Sequence, residues 1–370
     1  MGIYLGVRIR PAPTMVTQRT LGITCALLAP ALLATYPRVG DAPRPSDACQ
    51  SVPLAAVADS VAAAFDAHQF VFLGSTHGGD KPHLFLLCLV SRSSFQARAV
   101  DVLVEWANPV HQPLVDRYLL GLEPLPIDSL NHVWFDTDAP DLWARLPLIP
   151  LFYERVRAIN RRLAPERRIR VIGGSEPVDW SRVETPADVA RYPFKTNWAA
   201  HVILEHFAPH PERRLLVVYG DGHIHHDGGT LMSDLHSLDR DKRYVVGTIR
   251  SVDAAAPNAV ARLGDPSRPF FRAASRLPRS GPYPEDLFYA REGALDRYVD
   301  AVAYLGPAPA RDLRNQIDFS ADRRAELQRR EAIRGDRPEL MRLRFGNRAR
   351  WFEAHPHDLP PDPRGPTARP

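Results

Sequence analysis

Two short motifs place a histidine directly after an apolar run of the sequence. Residues 74–77 (GSTH) follow the run FVFL, and residues 220–223 (GDGH) follow LLVVY. A third apolar run, VDVLV, is followed by Glu105. Histidine titrates near neutral pH, so it can act as a general acid, a general base or a metal ligand. His77, His223 and Glu105 therefore predict either activation of a water for hydrolysis or a zinc or iron site.

Each of these residues also has a structural alternative. A lone Gly-x-x-His pattern arises by chance in many chains, and Glu105 could instead pair with an arginine, since a buried carboxylate needs a partner. His83 begins a predicted helix, where it would cap or pack, and residues 223–226 (HIHH) suit an exposed loop. A site is nevertheless favoured because both histidine motifs follow apolar runs.

Apolar runs of four to six residues alternate with longer amphipathic segments from residue 54 onward. This alternation predicts an α/β fold: a mostly parallel sheet with helices on both faces and its ligand-binding edge at the carboxyl ends of the strands. The predicted strands are 70–73, 100–104, 169–172, 215–219, 244–249 and 301–305. The predicted helices are 54–68, 83–91, 109–120, 148–163, 187–207 (interrupted by Pro193) and 321–334.

The composition and the missing motifs argue against several classes of protein. Of 370 residues, 47 are basic and 43 are acidic, and the net charge is +4. The arginines are interleaved with acids along the chain, which argues against nucleic-acid binding, because that function needs a clustered basic surface. Three cysteines are too few for a disulfide scaffold or a thiolate zinc site. The chain has no Gly-x-Ser-x-Gly motif of serine hydrolases and no phosphate-loop or dinucleotide motif.

Residues 1–42 are predicted to be a signal peptide and leader. Three arginines and no acidic residue precede the apolar run at 21–34, which is shorter than the roughly 20 residues of a membrane span. We therefore expect export to the periplasm or the extracellular space. An uncleaved segment would instead anchor the protein to the membrane.

The remaining chain is predicted to form a single α/β domain over residues 43–340. Residues 253–290 are rich in Pro, Arg and Ser, and this composition predicts an excursion or cap. The Pro-rich stretch 354–370 is predicted to be disordered. An oxidising compartment would permit a disulfide between Cys49 and Cys88, but their spacing alone does not establish one.

The motifs together resemble the superfamily that joins erythromycin esterases, ChaN-like haem-uptake proteins and Tiki/TraB proteins. Both Gly-x-x-His motifs and the strand that ends in Glu105 are similar to the family pattern. Residues 101–121 resemble the family's stretch of strand, Glu, Gln and Asp-Arg-Tyr, and residues 170–180 resemble a third-strand segment. Residues 300–307 resemble the final strand of an uncharacterised bacterial branch. The resemblance covers most of residues 55–330.

The resemblance implies roles for individual residues. His77 would be the general base or first metal ligand, Glu105 its partner, and His223 the second histidine, which protonates the leaving group or stabilises the oxyanion. Two positions depart from the family pattern: Ser75 stands where relatives usually have Glu, and residues 195–197 (KTN) replace an Arg-Asp segment. The substrate-binding candidates along the same edge are Ser75, His83, Asn108, Arg170 and Asp221.

Three functions follow from these expectations. The leading one is an exported hydrolase resembling the erythromycin esterases, in which water attacks an ester or related bond with or without a divalent metal (Zn, Mn or Fe). The alternative is a periplasmic ChaN-like protein that binds haem or iron without catalysis, and the third is an inactive member, as Ser75 suggests. The expected partner is a small-molecule substrate or haem, with no nucleic acid, and with membrane contact only through the N-terminal segment.

Overall fold

The computed structural model describes residues 49, 52–75, 79–143, 146–249, 257–277, 295–307, 319–335 and 359–365. The predicted signal peptide and leader, His77, and residues 253–256 and 278–290 of the predicted excursion or cap lie outside the described residues. Among the described residues, no helix is both long enough and apolar enough to cross a membrane.

The described strands form one sheet that is parallel except at one edge. They are β1 (Phe70–Ser75), β2 (Val100–Val104), β3 (Val171–Gly173), β4 (Arg214–Gly220), β5 (Arg243–Ile249), β6 (Phe270–Ala273) and β7 (Ala301–Tyr304). Their order across the sheet is β3-β2-β4-β1-β5-β7-β6, and only β6 pairs antiparallel, with β7. The predicted α/β fold with a mostly parallel sheet is confirmed.

The central strands are apolar throughout because both of their faces are covered. On β1, Val71 and Leu73 belong to one hydrophobic core, whereas Phe70 and Phe72 belong to a second core on the opposite face. All four side chains are at most 2% exposed. Successive residues of a strand point to opposite faces, so a strand buried on both sides needs an unbroken apolar run.

Helices cover both faces, as predicted. Residues of α1, α2 and α7 line the first core, and residues of α9 and α11 line the second. The described helices are α1 (Val52–Ala63), α2 (Asp80–Ser91), α3 (Ser93–Ala97), α4 (Gln112–Leu119), α5 (Asn131–Phe135), α6 (Pro140–Trp143), α7 (Leu148–Asn160), α8 (Pro186–Val189), α9 (Lys195–His201), α10 (Asp221–Ile224), α11 (Thr230–Asp234), α12 (Pro257–Leu263) and α13 (Ala321–Arg334). A π-helical turn, Val202–Phe207, extends α9.

Pro193 interrupts the helix predicted over 187–207, as its chemistry requires. Helix α8 ends at Val189, and α9 begins at Lys195. A proline lacks the backbone N–H that an inner helical turn needs, so the chain between the two helices leaves the helical conformation. This break places Lys195 at the start of a new helix.

The first part of the predicted excursion belongs to the sheet. Residues 257–263 form α12, and β6 then pairs with β7 in the register Phe271↔Ala303. Residues 270–273, within the predicted excursion or cap over 253–290, therefore form the antiparallel edge strand of the sheet. These four residues (FFRA) form a short run that contains an arginine, and their antiparallel partner β7 follows about thirty residues later in the sequence.

Part of the tail predicted to be disordered is packed. Within residues 359–365, the guanidinium of Arg364 donates to both carboxylate oxygens of Asp101, at 3.0 and 2.9 Å. The carbonyl of Pro360 accepts a hydrogen bond from Arg170 at 2.9 Å. Arg364 is 3% exposed and Asp101 is fully buried, so an ion pair holds this proline-rich stretch against the fold. The prediction of disorder is wrong for these residues.

Cys49 and Cys88 form a disulfide, with their Cα atoms 5.0 Å apart. Cys88 lies on α2 and is buried in the first core, against which Cys49 also packs. The bridge closes a loop of 39 residues around α1 and β1. It therefore ties the start of the described chain to the helix that follows β1.

Removal of this disulfide should lower the free energy of unfolding by about 2–4 kcal/mol, because the unfolded chain gains the entropy of the opened loop. Urea unfolding of the wild type and of the Cys49→Ala/Cys88→Ala variant measures the difference. Added dithiothreitol should destabilise the wild type and leave the double variant unchanged. Equal sensitivity of both proteins to the reductant would contradict this expectation.

Candidate functional site

The carboxyl ends of β1, β2 and β4 meet at one edge of the sheet. Ser75, the last residue of β1, pairs with Gly220, the last residue of β4. Glu105 follows β2 directly, and its Oε2 accepts a hydrogen bond from the Gly220 amide at 2.7 Å. The Glu105 carboxylate therefore links the end of β2 to the end of β4. His77, two residues beyond Ser75, lies outside the described residues.

His223 lies beside Glu105 at this edge. Its Nε2 is 3.7 Å from Oε1 of Glu105, and its Nδ1 is 2.7 Å from Oγ1 of Thr230. The ring of Tyr219 meets the imidazole edge-on, with centroids 5.9 Å apart. The side chain of His223 is 23% exposed, so one ring nitrogen is held in place while the imidazole stays accessible to solvent.

Lys195 is the partner of Glu105 that the sequence did not reveal. Its Nζ is 2.5 Å from Oε1 of Glu105 and 3.3 Å from Oδ2 of Asp138. The side chains are 9% and 1% exposed for Lys195 and Glu105. The sequence offered an arginine as the alternative partner of this carboxylate, but the partner is a lysine ninety residues away. One signal was present: Lys195 is one of three lysines among 47 basic residues.

The charges around Lys195 keep it protonated. Burial alone lowers the pKa of Lys195, but the nearby carboxylates of Asp138 and Glu105 outweigh burial and raise it above its usual value. Burial, with the same carboxylates and Glu176, raises the pKa of Tyr219 well above its usual value. The hydroxyl of Tyr219 donates to the carbonyl of Gly174 and lies 3.2 Å from the carbonyl of Lys195. The site therefore holds a fixed buried cation beside a buried carboxylate.

Gly74 makes room for Asp221 at the same edge. A Cβ at position 74 would lie 1.7 Å from Oδ1 of Asp221, which is 2% exposed. A side chain at position 74 would displace this carboxylate, so the close approach of Asp221 to the backbone requires a glycine here. Ser75 is 3% exposed, and its Oγ has no hydrogen-bond partner within the described part of the chain.

Two of the predicted substrate-binding residues have structural roles. The His83 ring packs against Trp106 and Trp143, with centroids 5.2 and 6.5 Å away. The amide of Asn108 donates to the carbonyls of Asp136 and Val178, at 2.6 and 2.9 Å, and accepts from the Val110 amide at 2.9 Å. Asn108 therefore organises the loop after β2 instead of facing a substrate.

Arg170 lies at the opposite end of the sheet from the site, so its predicted place along the substrate edge is wrong. It precedes β3, and its backbone amide donates to Asp101 on β2. Its guanidinium donates to both carboxylate oxygens of Asp116, at 3.0 and 2.6 Å. A residue that precedes a parallel strand lies at the amino edge, whereas ligands bind beyond the carboxyl edge.

The described residues do not fit a divalent metal at Glu105. Its Oε1 is held by the Lys195 ammonium and its Oε2 by a backbone amide, and a second cation there would be repelled by Lys195. Among the described residues, no group of three or more His, Cys, Asp or Glu side chains could hold a metal ion.

The histidines after α10 are not an exposed loop. His225 is 4% exposed, and the Nε2 of His226 is 2.9 Å from a carboxylate oxygen of Asp300. Burial, with a smaller effect of the neighbouring His226, lowers the pKa of His225 to about 4. The folded protein therefore resists protonation of His225.

We expect the stability to fall as the pH decreases from 6.5 towards 4, because the unfolded chain then binds a proton at position 225 that the folded chain does not. Above pH 6.5 this histidine is neutral in both states and has no effect. Urea unfolding between pH 8 and 4 measures the trend in the wild type and in His225→Gln, which cannot titrate. Parallel pH profiles of the two proteins would rule out this source of the pH dependence.

Comparison of the chain with protein-family models, with curated proteins and with solved structures gives no match. The superfamily resemblance therefore stays a prediction. The geometry at the carboxyl edge of the sheet is therefore the basis for a function of this chain.

Proposed function

We propose that the chain is a hydrolase that cleaves an ester or a related bond at the carboxyl edge of the sheet. The observation that carries this proposal is the placement of the partly exposed His223 imidazole, with its Nε2 3.7 Å from the buried carboxylate of Glu105. A histidine paired with an orienting carboxylate is the arrangement that general acid–base catalysis needs. Such contacts are often long in the absence of substrate and shorten when it binds.

In the proposed reaction, His223 takes a proton from the attacking water and returns it to the leaving group. In this proposal Nδ1–H donates to the Thr230 hydroxyl oxygen, so Nε2 carries the lone pair that accepts the proton, 3.7 Å from the carboxylate of Glu105. The carboxylate stabilises the imidazolium that forms, as in other His–carboxylate pairs. The family resemblance implies His77 as the general base and His223 as the second histidine. We give the base role to His223, which lies beside Glu105, and propose that His77 assists it.

The proposed role of Lys195 is electrostatic. Its ammonium lies against Glu105 and Asp138, and its pKa is raised, so it does not serve as a base near neutral pH. A buried positive charge fixed beforehand stabilises negative charge that develops nearby in a transition state. We propose that Lys195 orients Glu105 and contributes this electrostatic stabilisation.

We also propose that the protein is exported. The Cys49–Cys88 disulfide supports this, because such bridges persist in oxidising compartments. Binding of haem is not proposed. It would need an exposed apolar face, and in the described part of the chain the exposed large hydrophobic side chain is Val110, at 39%.

A panel of chromogenic carboxylic esters tests the hydrolase proposal. The wild type should hydrolyse at least one of them, and His223→Ala should lower kcat/KM by at least about 10²-fold, the lower range for a general acid–base residue. Glu105→Gln should lower it as well, because the imidazolium loses its stabilising charge. Thermal unfolding of each variant confirms that the protein is folded under the assay conditions.

His210→Ala is the matched control, since His210 precedes β4 at the amino edge of the sheet and its side chain is 54% exposed. It should retain wild-type activity. Hydrolysis that survives unchanged in His223→Ala, or a wild type inactive on the whole panel, would contradict the proposal.

A further inference from the structure

A cavity of about 790 Å³ is lined in part by Thr230, whose hydroxyl oxygen contacts His223. The loop from His226 to Thr230 and the start of α11 form one wall, and Arg240 and Arg243 form another. Its volume is in the range of sites for small molecules. The proposed hydrolysis does not use this cavity.

The cavity is lined mainly by basic side chains. Arg240, Arg243, His226 and His236 contribute to its walls, and Asp227 is the carboxylate among the lining residues. Asp227 is paired with a guanidinium nitrogen of Arg297 at 2.9 Å. The lining therefore has an excess of positive charge that its own carboxylate does not neutralise.

Asp300 lies next to this lining, and its oxygens are also occupied. It accepts from Arg240 at 2.6 Å and from the Val245 amide at 2.7 Å, and it lies 2.9 Å from His226 Nε2. One carboxylate thus serves both Arg240 and His226. Arg243 is left without a carboxylate partner among the residues that the structure describes.

Arg243 has donors to spare. Its Nη1 reaches the Leu235 carbonyl at 3.3 Å, while its Nε is buried with no hydrogen-bond partner within the described ranges. Burial, together with the nearby charge of Arg240, lowers the pKa of this guanidinium. An anion in the cavity would relieve the charge repulsion between the guanidinium groups of Arg240 and Arg243.

We infer that this cavity binds the phosphate group of a small molecule, between Arg240 and Arg243. Two guanidinium groups suit a tetrahedral dianion better than a single carboxylate, because each arginine can donate to two phosphate oxygens. The Ser233 hydroxyl, on the same wall, adds a donor. Since the cavity and the hydrolase site share Thr230 as a wall, the ligand would lie next to the residue that positions His223. The inference rests on the cavity alone and holds whether or not the chain is a hydrolase.

Isothermal titration of the full chain with inorganic phosphate, at constant ionic strength, tests the inference. Saturable binding of about one phosphate per chain is expected. Arg243→Met should raise Kd by about 10-fold or more, the usual effect of losing a charged hydrogen-bond donor. Arg162→Gln, which removes an exposed arginine far from the cavity in the sequence, should leave Kd unchanged.

A second variant keeps the test decisive if Arg243→Met does not fold. His236→Glu places a negative charge at an exposed position of the lining and should also weaken phosphate binding. Titration with acetate distinguishes the two oxyanions, and acetate binding as tight as that of phosphate would overturn the phosphate assignment. Absence of saturable phosphate binding, or binding that neither variant weakens, would overturn the site and leave an adventitious ion only.

Discussion

Replacing Lys195 with methionine should lower the free energy of unfolding by about 3–5 kcal/mol, the usual cost of breaking a buried ion pair from one side. The lysine is 9% exposed and contacts the carboxylates of Glu105 and Asp138. Methionine has a similar length but no charge. The two carboxylates would then stay buried without their cation, which is far less favourable than burying a neutral pair.

A double variant separates this electrostatic cost from a loss of packing. The double variant Lys195→Met/Glu105→Gln removes both charges of the Lys195–Glu105 ion pair, so it should be more stable than Lys195→Met alone. Lys242→Met is the surface control, because Lys242 is 40% exposed and lies 3.9 Å from Asp239. Its cost should stay within about 0.5 kcal/mol. A Lys195→Met protein as stable as the Lys242 control would show that the buried pair contributes nothing to stability.

Replacing Arg364 with methionine should have a similarly large effect, about 3–5 kcal/mol, although this residue lies in the proline-rich tail. Asp101 is fully buried on β2 and relies on Arg364 for two hydrogen bonds. The nearest other guanidinium, that of Arg213, is 3.6 Å from Asp101. Loss of Arg364 would thus leave a buried carboxylate with weaker partners at the amino edge of the sheet.

Removal of residues 359–370 should destabilise the protein at least as much as Arg364→Met, since it also removes Leu359, which is 5% exposed. Arg117→Met serves as the control for loss of an exposed ion pair, because Arg117 and Glu123 are 56% and 40% exposed. Its expected cost is below about 1 kcal/mol. Urea unfolding at pH 7 compares the variants, and a truncated chain with wild-type stability would contradict a structural role for the tail.

The sequence alone determined the sheet and the edge where Glu105 and His223 meet. The runs FVFL and LLVVY are unbroken, and VDVLV is interrupted by Asp101 alone, because their strands are buried on both faces. This apolar pattern is local and can be recognised without the structure. Parallel strands bring their carboxyl ends to one edge, so polar residues that follow such runs are expected to be neighbours. The break at Pro193 was predictable for the same reason, since its cause lies within one residue.

Only the tertiary structure decided which charged residues are buried and with whom they pair. Lys195 is separated by 90 residues from Glu105, and Arg364 by 263 residues from Asp101. Nothing in the local sequence distinguishes Arg364 from the many arginines on the surface. Arg170 was predicted at the wrong edge of the sheet because it lies only one residue before the start of β3. The apolar pattern of a buried strand lies within a few consecutive residues, so it can be recognised from the local sequence. A buried ion pair joins residues from two distant segments, so it depends on how those segments meet in the folded chain.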